Sequence, residues 1–263
     1  MAWGSFVWLP CLFSTDPVPA GANCGPKWGE RMNSSYEQYE IVDAFAQLCA
    51  MLQPNVICDI GTCNADDAIK FKQSSPESTV FAFEANPQNY FDFCIRREVS
   101  SEGVIVQHIA ISDKDSFVQM YLPQRASRDS APDIGVRGIA STKKRVDSET
   151  YITFDMPARS LDSFFASGSA LKSFALWIDL EGSAMECIRG SRAVLQNSLI
   201  VKIECENYIA WEGQATYSDI LAEMLTMGFY ELCSSDQSPG QFDVIFAKEG
   251  KVSRDIMSRV QIK

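Results

Sequence analysis

Five short apolar runs recur along the chain: NVICDI (55–60), STVFAFE (78–84), VIVQHIAI (104–111), SFALWID (173–179) and LIVKIEC (199–205). Each is apolar nearly throughout, with none of the polar alternation of a half-solvated strand. Such strands are buried on both faces, and buried strands separated by helical stretches build parallel βαβ units. The intervening stretches fit that pattern. Helices are predicted from Asn64 to about Gln73, from Pro87 to near Val99, from Ser183 to about Leu195, and over Thr216–Met227. Another precedes the first strand within SSYEQYEIVDAFAQLCAM (34–51), where Ile41, Phe45, Leu48 and Leu52 share a face and Ser34 or Ser35 caps the start. Phe229–Cys233 and Phe242–Lys248 flank a polar Pro-Gly turn and read as a closing antiparallel hairpin. The expectation is an α/β fold: a mostly parallel seven-stranded sheet with helices on both faces.

The 263 residues suffice for one decorated domain. Residues 1–33 differ from the rest, with Trp3, Trp8 and Trp28 among Pro and Gly. They are expected to form a lid or a partner contact, through which a homo-oligomer would form. The domain proper spans 34–250, and 251–263 form a tail. Strands at Ser116–Leu122 and Tyr151–Met156 bracket a polar insertion, 124–150, which carries the basic run RGIASTKKR (137–145); a short helix follows at Ser160–Phe165. No run of 18 apolar residues is present, so no membrane span is expected. The start lacks a basic n-region and a cleavage site, so no secretory signal is expected. A net charge of −11 repels nucleic-acid backbones and anionic lipid. The nine cysteines form no CxxC pair and mostly fall within apolar runs, as free thiols of a cytoplasmic protein do. The single histidine, His108, sits in an apolar strand; unless it serves, histidine-rich metal sites and Ser-His-Asp triads are excluded.

In open parallel sheets, ligands bind beyond the carboxyl ends of the strands. Here those ends carry acids: Asp59, Glu84, Asp179 and then Glu204 and Glu206. The first turn, GTCNAD (61–66), has one glycine, so GxGxxG is absent; GxxxxGK[ST] is absent as well. Asp66 and Asp67 occupy the helix start, where they would repel a pyrophosphate. The ligand is therefore expected to be nucleoside-like, cationic near the turn and free of phosphate, which describes S-adenosylmethionine. Gly61 admits its methionine part, Asp59 balances its positive charge, and Glu84 takes both ribose hydroxyls. Ala85, Asn86 and the backbone around Ala110 and Ile111 complete the cofactor set by bordering the adenine.

The segments DIGTCNADDA (59–68), VFAFEANP (80–87), VIVQHIAISD (104–113), ARSLDSFF (158–165), LWIDLEGSAMECIRGS (176–191) and VKIECEN (201–207) together resemble FkbM-type methyltransferases. The resemblance runs from about Ser34 to Lys248. It implies a Rossmann-like fold, S-adenosylmethionine as methyl donor, and methylation of a hydroxyl on a sugar or small metabolite. It also implies Asp179 near the sulfonium and Glu181 near the acceptor, with Glu206, or its neighbour Glu204, completing the catalytic set. Tyr36, Gln38, Tyr208 and Trp211 would line the acceptor pocket. No metal is expected, although an all-oxygen acid cluster suits a hard cation. One departure is Ala65, where that family usually has a second glycine; a methyl group there is tolerated if φ is negative. A long 124–150 loop is another. Two alternatives stay open. One is a non-catalytic binding or assembly protein that keeps the fold. The other is an RNA ribose 2'-O-methyltransferase, since Lys70, Asp179, Lys202 and Glu206 resemble the Lys-Asp-Lys-Glu set of such enzymes.

Overall fold

A computed structural model describes residues 41–124, 137–148, 150–166, 172–253 and 255–256. The readings made for 1–33, for Tyr36 and Gln38 and for most of the tail lie outside the described residues.

Helix α1 (Ile41–Leu52) leads into β1 (Val56–Ile60), α2 (Asp66–Ser74) and β2 (Thr79–Phe83). A short α3 (Pro87–Asn89) runs into a π turn at Tyr90–Ile95, followed by β3 (Val104–Gln107). The smaller strands β4 (Ala110–Ile111), β5 (Ser116–Pro123) and β6 (Tyr151–Arg159) come next. The chain then returns through β7 (Phe174–Ile178), β8 (Ser198–Glu206), β9 (Phe229–Ser238) and β10 (Gln241–Lys248). The main sheet has seven strands in the order β3-β2-β1-β7-β8-β10-β9. The first five strands of that order are parallel, and β10 is antiparallel to both of its neighbours. The expected parallel sheet with its closing hairpin is present. Strand order reverses between β1 and β7, so the binding crevice belongs at their carboxyl ends.

Every residue of β1 and β7 is buried, because helices cover both faces. On one face α1 and α2 press Phe45 and Phe71 against Trp177, with ring centroids 5.0–5.3 Å apart. On the other, Leu176, Ile178, Val201 and Ile203 pack under the helices at 184–196 and Tyr217–Thr226.

Four features differ from the sequence reading, the first being the helix expected from Pro87 to near Val99, which is α3 and a π turn that ends at Ile95. The strand expected over 104–111 breaks after Gln107, and Ala110–Ile111 joins a separate three-stranded sheet of order β4-β6-β5. His108 lies in the break and stacks on Tyr90, with centroids 4.3 Å apart. The helix expected from Ser183 to Leu195 is two helices, Ala184–Arg189 and Arg192–Gln196, parted at Gly190. Gly190 lies so close to the backbone of Ser112 that a Cβ there would sit 2.1 Å from its carbonyl oxygen. Ala65 has φ of +63°, not the negative value expected to make a methyl group tolerable. Its N–H donates to the carbonyl of Thr62 and its carbonyl accepts from Ile69, so it caps α2. Its methyl packs into the core beside Ala68 and Phe71, offsetting part of the left-handed cost.

Candidate active site

Gly61 and Thr62, directly after β1, both donate backbone N–H groups to the carbonyl of Phe83, each at 3.0 Å, and so dock the first turn on β2. Asp179 follows β7 and donates its N–H to Ile60 at 2.9 Å. Gly61 has φ of +87°, and a Cβ there would lie 2.0 Å from the carbonyl oxygen of Asp179. Only glycine lets these two strand ends meet. Gly61, Cys63 and Ala65 are left-handed while Thr62 and Asn64 are not. The N–H groups of the turn are committed within the protein: Gly61 and Thr62 to Phe83, Cys63 to Glu84, Ala65 to Thr62 and Asp66 to the side chain of Asn64.

The cleft above these strand ends is lined by Gly61, Glu84, Ala85, Ala110, Ile111 and Asp179. The roof comes from the basic insertion, through Arg137, Gly138, Ala140, Ser141 and Thr142. The remaining space is about 50 Å³. Small-molecule sites usually have about 300–1,000 Å³, so a ligand of nucleoside size requires the roof to lift. Two proposed cofactor residues stand behind the cleft wall. Asp59 is buried and accepts from the Thr62 hydroxyl; burial first, and then the nearby charge of Asp67, push its carboxyl well up. Asn86 is also buried, and its amide is committed: it caps α3 by accepting from Gln88 N–H at 3.0 Å and donates to the carbonyl of Arg137 at 3.1 Å.

Glu84, at the tip of β2, is buried and accepts the N–H of Asn86 at 2.6 Å. Burial pushes its carboxyl up to about 7, against the hydrogen bonds that hold it down. Carboxylate oxygens of Asp179, Glu181 and Glu204 converge within 4.8 Å of one another. Glu181 is pushed up to about 8, by burial first and then by the charges of Asp179 and Glu206. Glu204 is pushed well up, by burial and then by Asp179 and Glu181. Glu206 is raised for the same leading reason and accepts from the side-chain amide of Gln214 at 3.0 Å. This is the compact acid grouping among the described residues. Asp179 already has a cationic partner in Lys202, at 3.0 Å, and no metal is assigned to the group.

The remaining candidates are dispersed. Trp211 is fully buried, packed against Gly182 and beneath the Arg145 guanidinium, whereas Tyr208 is exposed beside Gly240. Lys70 pairs with Asp43 and ties α2 to α1, so the four-residue Lys-Asp-Lys-Glu set does not assemble. Three of the four cations of the basic run are paired, Arg137 with Asp92 at 3.0 Å, Lys143 with Glu186 at 2.9 Å and Arg145 with Asp147 at 2.7 Å, and Lys144 lies over the ring of Tyr121. Sequence reasoning missed the roof residues Ser141 and Thr142, which bond to the carbonyl of Glu181 and the hydroxyl of Ser183. It also missed the full setting of Lys202; the available signal was a lone lysine inside the apolar run LIVKIEC.

A 2-O-methyltransferase, NoeI, of Sinorhizobium fredii is 24% identical over 170 residues, covering 63% of this chain and 69% of the relative. Among solved structures, a precorrin-6y C5,15-methyltransferase from Geobacter metallireducens aligns at 13% identity with a TM-score of 0.41, covering 82% of this chain and 92% of that one. The N-terminal domain of EvdMO1, solved with SAH and D-fucose, aligns at 10% identity with a TM-score of 0.43, over 82% and 84% of the two chains. The methyltransferase FkbM domain family matches residues 59–230, more than half of the sequence. With strand-end acids, glycine turn and family match in agreement, the chain belongs to the FkbM methyltransferase family.

Proposed function

We propose that the protein transfers the methyl group of S-adenosylmethionine to a hydroxyl oxygen of a sugar or small metabolite. The observation that carries this reading is Glu181: a carboxyl pushed up to about 8, close to Asp179 on the cleft wall. The residues present suit the donor. Glu84 offers acceptors to the ribose hydroxyls, and Asp179 faces the positive charge. When bound, S-adenosylmethionine supplies an electrophilic methyl group on a sulfonium.

The work of the chain is to hold, exclude water and move one proton. Holding two reactants in line is worth roughly 7–11 kcal/mol in well-oriented systems. Glu181 receives the hydroxyl proton. A carboxylate raised to about 8 is a stronger base than an ordinary one, and such catalysis contributes ~10²–10⁴-fold. That the NoeI relative is named a 2-O-methyltransferase supports oxygen as the methylated atom. The seven described cysteines are free thiols, which supports a cytoplasmic setting, and no described helix is long and apolar enough to cross a membrane.

Calorimetry with S-adenosylmethionine, followed by release of S-adenosylhomocysteine with a panel of neutral and amino sugars, tests the proposal. Glu181→Gln is expected to bind the donor within about threefold of the parent and to lose about 10²-fold or more in turnover. The parent rate should rise as pH climbs through about 8, and the variant should lose that limb. An unchanged rate in Glu181→Gln removes the base. No donor binding at millimolar concentration would favour a non-catalytic protein that keeps the fold.

A further inference from the structure

Lys202 is the one lysine or arginine buried among the described residues, with no exposed surface. It sits in the middle of β8, in register with Trp177 on β7 and Ile245 on β10. A buried ammonium needs a counter-charge, and Asp243 on β10 supplies one at 2.8 Å. The other oxygen of Asp243 accepts from the side-chain amide of Gln237 at 2.7 Å, and the face of Trp177 lies 4.4 Å from the ammonium. That pair is electrostatically complete. Yet Lys202 also donates to Asp179 at 3.0 Å, and Asp179 lines both the donor cleft and a depression of about 410 Å³ on the α1 side of the sheet. Lys202 itself and Asp67 line that second depression as well.

The surroundings make this third contact consequential. Around Asp179 stand Asp59 and Asp67 from the β1–α2 side, Glu181 on its own loop, and Glu204 and Glu206 on β8. Two further cations act at the margins of this group, Arg145 on Glu181 and Glu206 and Lys70 on Asp67. Glu204 shares a hydrogen bond with Asp179, and Lys202 supplies the cationic contact that holds the same carboxylate from the other side of the sheet end.

We infer that Lys202 is a positioning residue: it anchors the Asp179 carboxylate at the edge of the donor cleft so that it meets the sulfonium, with Asp243 balancing its remaining charge. The inference rests on the donor site proposed above. Its test is charge discrimination in binding. S-adenosylhomocysteine shares the adenosine and amino-acid parts of the donor but lacks the methyl group and its positive charge. The variant K202M/D243N removes one cation and one anion together, which spares the fold a net buried charge. It is expected to lose about tenfold or more in affinity for S-adenosylmethionine, while affinity for S-adenosylhomocysteine stays within about threefold. D243N alone leaves Lys202 on Asp179 and should keep the parent ratio of the two affinities. If K202M/D243N does not fold, K202Q carries the same expectation. Equal loss for both compounds, no loss for the donor, or the same change in D243N would each overturn the inference. A parent that binds neither compound removes the donor site and this role with it; a parent that binds both, with an unchanged ratio in the variant, removes this role alone.

Discussion

Glu84 is a buried carboxyl at about 7 whose partners are hydrogen-bond donors, with the charge of Arg137 also holding it down. A ribose needs acceptors, so the ionised form is the binding form. Donor affinity should be flat above pH 7 and fall below it, approaching tenfold per pH unit. Glu84→Gln should bind the donor about tenfold more weakly at pH 8 and should lose the dependence on pH. A parent titration that is flat from pH 5.5 to 8 would sink the assignment. Residues of this kind were legible in the sequence, because an acid ending an apolar strand is a simple signal. Asp59 carried the same signal, yet it stands behind the cleft wall, as does Asn86. Asp59 is taken up by the Thr62 hydroxyl and Asn86 by Gln88 and Arg137, and a strand pattern does not encode those partners. Ala65 shows the converse: its letter argues against a left-handed turn, and only the buried methyl beside Phe71 explains its presence.

The basic insertion changes meaning when seen as an element. In the sequence, RGIASTKKR is only the basic part of a polar insertion; in the fold its first half roofs the cleft. The fastening is specific. Arg137 donates to Asn89 at 3.0 Å and pairs with Asp92, and its carbonyl accepts from both Asn86 and Asn89 at 3.1 Å. Further along, Ser141 exchanges backbone hydrogen bonds with Tyr121 on β5. The roof must lift for a donor to enter, so this fastening sets the rate of exchange. Arg137→Ala removes charged hydrogen bonds worth about 1.5–3 kcal/mol each at most. It should speed donor release about tenfold in stopped flow and raise hydrogen exchange at Gly138–Ser141, with the core strands unaffected. An unchanged release rate would mean that the roof does not gate the site. The small β4-β6-β5 sheet that holds this roof was only half legible. Its strands alternate visibly, but their separation from the main sheet depends on the break at His108, and the 104–111 run conceals that break within continuous apolar residues.

The crevice also sets a property of the whole molecule. Asp59, Asp67, Glu84, Glu181 and Glu204 all bind protons more tightly when folded, with Asp67 at about 6, Glu84 at about 7 and Glu181 at about 8. In the unfolded chain such carboxyls titrate near 4. Between about pH 4 and 8 the folded state therefore holds more protons than the unfolded one, and unfolding free energy falls as pH rises. The stability that these groups contribute is fully present below their unfolded values and is lost as pH climbs through their folded ones. Lys202 is raised as well, so its contribution is lost only in strongly alkaline solution, outside this window. Asp115 and Asp219 are shifted down and act oppositely, but their effect falls below pH 4. The net charge of −11 adds self-repulsion in the same direction as the crevice. The ligand-free protein should thus melt several degrees higher at pH 6 than at pH 8 in scanning calorimetry. S-adenosylmethionine, which binds the folded state and brings positive charge to the acids, should recover most of that loss at pH 8. A melting temperature that rises steadily from pH 6 to 8 without ligand would show that the crevice acids are ordinary solvated carboxylates, and the account of Glu84 and Glu181 would fall with it.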